Sequence, residues 1–268
     1  MRMNSNLAKH WYWLAAVNLV VSFALHGADV TNEPPRSSGR ERPGATSTNA
    51  QIQVTVATPP SGARIVYKPP LRGAPAVRID GGSRGSGVSL ICLNVLAPDH
   101  TGLTVREQPS LFWYQSGPAD VPFELTVIEW GKPEPLLRIR LPDAKKYGIQ
   151  HVNLADHNVK LATGVDYEWV VALVVDPNSR SKDVIASGHI KRVEPSPDLS
   201  ARLAGASAEN LPRIYAEEGL WYDTVETLAR SIEQRPDDSS LQAAGAVLLG
   251  QVGLTRAAAH IGSLARNN

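Results

Sequence analysis

Between Gln51 and Pro195 no stretch of the chain repeats its apolar residues at helical spacing. That feature constrains the fold more than any motif. Parallel strands need long crossovers, usually helical, so βαβ architectures are disfavoured. Short runs rich in β-branched and aromatic residues fill the region instead, set apart by proline and glycine. "QIQVTVA" (51–57) alternates strictly, as a half-buried strand does. After a turn-dense segment come "VSLICLNVLAP", "SLFWYQS", "VPFELTVIEW", "PLLRIRLP", "GIQHVNL", "YEWVVALVVD" and "DVIASGHIKRV". Turn signals such as Asp176-Pro177-Asn178-Ser179 part them. The pattern predicts an antiparallel sandwich over residues 51–194, with a basic, Gly/Pro-rich segment at its N-terminal end.

"LATGVDY" (161–167) leads into the longest of these runs. It resembles the tyrosine corner of immunoglobulin-like and fibronectin type III sandwiches, whose hydroxyl turns back onto the preceding loop. Tyr167 and Gly164 thus carry a structural role, although Thr163 replaces the usual corner proline. The expected fold is mainly β, an immunoglobulin/fibronectin-like antiparallel β-sandwich. On it Trp113 falls where a fibronectin-like second strand places its core tryptophan. Within "LFWY" the side chains at 111 and 113 face opposite to those at 112 and 114. One pair is therefore open to exposure, which keeps Trp113 a candidate ligand contact as well.

Past Val193 the texture changes. "EPSPDLS" opens a linker over 195–208, and alanine, leucine and glutamate then recur at helical spacing through 209–268. Gly253-Leu254 repeats Gly219-Leu220 after 34 residues, the tetratricopeptide period. Pro212 departs from that pattern, and fewer than three repeats make no free-standing solenoid. The reading is a tetratricopeptide-like hairpin region packed on the sandwich.

"GGSRG" (81–85) matches the G-x-S-x-G turn that presents a serine nucleophile. That chemistry needs a strand before the turn and a helix after it. Here "SGVSLIC" follows and reads as a strand. Ser83 is accordingly a hinge residue, and Gly81, Gly82 and Gly85 are structural. Five basic residues, Arg64, Lys68, Arg72, Arg78 and Arg84, face one acid, Asp80, between Ser61 and Gly87. Arginines beside glycine-rich backbone suit an anion, so Arg72, Arg78 and Arg84 join Trp113 as candidate binding residues. The same segment is complementary to the eight acids against three arginines between Ala206 and Ser240, which suggests a salt-sensitive docking.

Other chemistry finds little support. His151 and His157 match no common zinc spacing. No metal or cofactor is expected and no catalytic residue is assigned. Cys92 sits in an apolar run, where an inert thiol is the default. Glu124, Glu129 and Asp120 near Trp113 are the members of an alternative, a carboxylate-based hydrolase acting on an envelope polymer.

The 268 residues carry 27 basic and 26 acidic side chains, a net charge of +1 that exerts no pull toward nucleic acid. Arg2 and Lys9 precede the apolar run "WYWLAAVNLVVSFAL" (11–25), which reads as a signal peptide over 1–28, cleaved after Ala24 or Ala28. No stable transmembrane segment is expected once it is removed. Residues 29–50, rich in proline, serine, glycine and threonine, read as a flexible linker. One cysteine admits no intrachain disulfide.

"YKPPLRGAPAVRIDGGSRG", "GLTVREQPSLFWY", "VPFELTV", "LATGVDYEW", "GHIKRV" and "YAEEGLWYDTVETLA" together resemble the bacterial domain-of-unknown-function family 928. The resemblance spans roughly residues 67–229. It implies an exported protein, brings no catalytic residues, and places threonine near Ser83 in most members. The resulting expectation is a periplasmic or secreted, non-enzymatic binding or assembly protein. Its partner would be another exported protein or an envelope polymer, met through sandwich loops and the helical tail.

Overall fold

The apolar runs after Leu90 become strands, with burial alternating along β5 (Phe123–Glu129) and β6 (Pro135–Leu141) and continuous along β4 (Ser110–Gln115). The computed structural model describes residues 65–70, 78–82, 91–141 and 147–267. The expected signal peptide and linker, the run at 51–57, Arg72, Ser83, Arg84 and Gly85 lie outside the described residues. The strands are β1 (Gly81–Gly82), β2 (Cys92–Val95), β3 (Gly102–Thr104), β4 (Ser110–Gln115), β5 (Phe123–Glu129), β6 (Pro135–Leu141), β7 (Gly148–Asn153), β8 (Asp166–Leu173) and β9 (Val184–Arg192). They form two sheets, ordered β1-β2-β4-β7 and β3-β9-β8-β5-β6. On β5, Phe123, Leu125 and Val127 point inward; on β8, Tyr167, Trp169, Val171 and Leu173 do the same. Leu93, Val95, Leu111 and Trp113 meet them from the opposite sheet.

The five-stranded sheet is mixed, not wholly antiparallel: β3 pairs with β9 in parallel. A strand of three residues is too short to show alternation, so sequence reading passes over it. Its partner lies nearly ninety positions downstream, and no hairpin dictates the direction.

Five helices follow: α1 (Pro197–Ala204), α2 (Leu211–Glu217), α3 (Trp221–Gln234), α4 (Ser239–Gln251) and α5 (Thr255–Asn267). The expected linker at 195–208 thus contains a helix. Ser196 accepts a hydrogen bond from the Leu199 amide, and Pro197 sits where a missing N–H costs nothing. Gly219 and Gly253 turn α2 into α3 and α4 into α5 with φ of 73° and 75°. At Gly219 a side chain would meet the Lys68 carbonyl oxygen at 2.7 Å, so the turn needs glycine twice over.

The helices are a third layer rather than an appendage. Phe112, Tyr114 and Ile149, on the outer face of the four-stranded sheet, pack toward α3, α4 and α5. Every residue of β4 is therefore buried, and neither pair in "LFWY" is exposed. Buried residues of both sheets and of α3 to α5 form one continuous cluster, within a single unit spanning residues 58–268. Among the described residues, no helix is long and apolar enough to cross a membrane.

Candidate functional site

α3 positions everything that follows, and its first turn is why. Its apolar side, Trp221, Tyr222, Val225 and Leu228, is buried against the sandwich. A buried indole or phenol needs a partner for its polar atom, and the sandwich supplies them. Trp221 Nε1 donates to the Leu96 carbonyl at 2.7 Å. The Tyr222 hydroxyl donates to the His189 carbonyl at 2.9 Å and accepts from Trp169 Nε1 at 2.8 Å. The core tryptophan of β8 is thus completed by a helix.

Two acids of α3 enter the same seam. Asp223 is wholly buried and Glu226 nearly so. The carboxylates accept from the Val105 and Ser110 amides, both at 3.1 Å, and so fix the chain between β3 and β4. Arg106 Nε stands 3.4 Å from Asp223 and 3.5 Å from Glu226. Burial pushes the Asp223 carboxyl up to about 6, with Arg106 opposing. Burial, with the charge of Asp223, also raises the Tyr215 hydroxyl. Sequence reading missed this seam. Its signal was present in "WYDTVETLA", where acids interrupt the apolar side of a helix.

Held in this way, the helices pack against a further segment of the chain. Ile65–Pro70 lies extended across them, with Ile65 and Tyr67 buried and Val66, Lys68 and Pro69 exposed. The Gln251 carboxamide makes two bonds to one edge of the segment's backbone: Oε1 accepts from the Tyr67 amide at 2.9 Å, and Nε2 donates to the Ile65 carbonyl at 2.8 Å. The Lys68 amide donates to the Ala216 carbonyl at 3.0 Å. The Tyr67 ring meets Trp221 edge-on at 4.9 Å, and its hydroxyl lies 2.9 Å from His100 Nε2. Beyond Ile65 opens a cleft of about 260 Å³ between α2, α3 and α4. Leu228, Leu241 and Ala244 contribute its apolar wall, and Arg213, Arg235 and Asp238 its charged rim.

Arg78 is not free for an anion. Its Nη1 donates to the Ala97 and Val252 carbonyls, both at 3.0 Å, and its Nε faces Asp80 at 3.2 Å. It joins the segment before β1 to the end of α4. Among the described residues, the acids of 206–240 pair with neither Lys68 nor Arg78 of the basic segment. Glu209 and Asp238 pair with Arg235, Glu217 and Glu218 with Arg202, and Glu226 with Arg230 and Arg106. Among the described residues, docking runs through carbonyls and one amide side chain. Arg78→Met is expected to lower the urea midpoint by the equivalent of roughly 1–3 kcal/mol, because two part-buried carbonyls lose their donor. A midpoint unchanged from wild type would refute this role.

Trp113 is core, 4% exposed and 6.4 Å from Phe123 ring to ring, so it offers no face to a ligand. The Tyr167 hydroxyl accepts from the Ala162 amide at 3.1 Å, and Gly164 has φ of 78°. Ile79 bridges to Ser187 on β9 while Gly81 and Gly82 pair with β2, so the chain changes sheets there. A Cβ at Gly81 would lie 2.7 Å from the Ile185 carbonyl oxygen. Glycine permits that crossing.

Of the expected carboxylates, Glu124 and Glu129 are not gathered. Glu124 and Glu129 stand five residues apart on β5, about 17 Å along the strand and well beyond glycosidase separations. Glu124 is engaged by Arg180 at 3.1 Å, and Glu129 by Lys132 at 3.5 Å. The His151 ring packs on Phe112 at 5.1 Å. Among the described residues, no three His, Cys, Asp or Glu side chains are grouped to hold a metal.

These features define a mainly β protein whose C-terminal helices complete the core and carry a peptide-lined groove. A family profile described as Domain of Unknown Function (DUF928) matches residues 79–261, and the chain belongs to that family. The match runs from the Ile79 crossing into α5, so the family unit includes both sheets and the helical layer. No curated protein matches the chain.

Proposed function

We propose that the protein is an exported, non-enzymatic binding or assembly module, with the helical layer as receptor and the sandwich as scaffold. One observation carries the reading: the helices already hold an extended segment through hydrogen bonds aimed at its backbone. Such contacts give affinity for a strand, while alternate side chains give selectivity. The positive, apolar leader at 1–28 supports export. An immunoglobulin-like topology is supported by the Tyr167 corner and by β9-β8-β5-β6 matching the G-F-C-C′ order. The 34-residue offset between the Gly219 and Gly253 turns supports a tetratricopeptide-like arrangement of α2 to α5.

The test is site-directed cross-linking of the full-length protein in its host. A photoreactive residue at Leu241, in the cleft, is expected to give a discrete adduct with an exported protein or envelope polymer. Filling the cleft with Ser231→Trp is expected to abolish it. The same probe at Arg138, 60% exposed on β6, serves as the control. Equal adducts from both positions, or none, would overturn the binding role.

A further inference from the structure

We propose that the site formed by Gln251, Ala216 and the Gly219 turn recognises an extended segment with an apolar residue two positions before a tyrosine, and that its partner in trans is Ile65–Pro70 of a second copy. This deepens the binding reading above and rests on it.

The occupant is visible, so its chemistry is read directly. Gln251 bonds the carbonyl of Ile65 and the amide of Tyr67, two groups on one edge of an extended chain. A carboxamide holds such a pair whatever side chain lies between, and here that is the exposed Val66. Selectivity comes from the flanking positions. Ile65 closes one end of the cleft. Tyr67 takes a ring-shaped slot against Trp221 and ends on His100, a contact that needs a hydroxyl. The left-handed Gly219 then lets the Lys68 carbonyl pass at close range. Every copy carries the same segment and the same site. Exchange between two copies therefore preserves each of these contacts and demands no new surface, which makes it a low-cost route to a closed dimer. The two junctions tether each other, so the second forms at a raised effective concentration.

Two full-length variants separate the halves of the device. Gln251→Ala removes the clamp and leaves the segment; the pair Ile65→Ala and Tyr67→Ala removes the segment and leaves the clamp. Mixed at high concentration, they are expected to give a 1:1 heterodimer by native mass spectrometry, which neither forms alone. A labelled peptide copying residues 63–71 is expected to bind the double variant saturably, and Gln251→Ala about tenfold more weakly or less. Wild type needs no folding control: there, excess peptide is expected to raise amide exchange at Tyr67 and Lys68. Peptide binding without heterodimer would overturn the second copy as partner. No peptide binding and no change in exchange would overturn the site itself, while the Leu241 adduct still reports separately on the binding role.

Discussion

Tyr222→Phe is expected to cost about 2–4 kcal/mol, because two buried groups lose their partner at once. Trp169 Nε1 loses its acceptor and the His189 carbonyl loses its donor, both well inside the core. For a unit of this size that is a fall of roughly 5–15 °C in Tm. Tyr222→Ala adds a cavity beside Trp169 and is expected to leave the protein largely unfolded. Thermal melts followed by near-ultraviolet circular dichroism measure both, since the tryptophan signal reports on the seam. A phenylalanine variant melting with wild type would show that the hydroxyl does not join the layers.

Asp223 gives the second large effect, and its sign is unusual for a carboxylate. Burial raises the folded-state value to about 6 from the ordinary 3.8. The fold therefore favours the protonated form. Its stabilising contribution is complete below about pH 3.8 and is lost as pH rises through about 6. The change is on the order of 3 kcal/mol. Asp223→Asn cannot ionise, yet its side-chain oxygen still accepts from the Val105 amide. Between pH 4 and 7 the stability difference should therefore move toward the variant by that amount. Urea unfolding at half-unit pH steps reads it. A difference independent of pH would show that Asp223 does not titrate as a buried acid.

The strands were legible because burial on one or both faces leaves a period of two or a short apolar run, and β4 to β9 each carry one. The buried Tyr167 stands at the start of β8, whose alternating run was itself legible. The C-terminal helices were legible because alanine, leucine and glutamate recur there at helical spacing. Elements that rest on distant partners were hidden. β3 is strand-like only because β9 lies beside it. α1 forms where a proline-rich stretch reads as linker, since Leu199 packs against Ile214 and Tyr215 of α2. Arg78 reads as a surface charge until Ala97 and Val252 converge on it from far along the chain. Gln251 has no sequence signature at all. A glutamine near a helix end becomes a clamp only when an extended backbone runs past it.

The covering of β4 on both sides sets a limit on engineering. A free-standing sandwich could be excised for display or fused to a cargo at Glu194. Here such a cut would lay Phe112, Tyr114 and Ile149 open to water as a sticky, unpainted wall. Anyone wishing to borrow the β portion alone would first have to repaint those three positions with polar side chains.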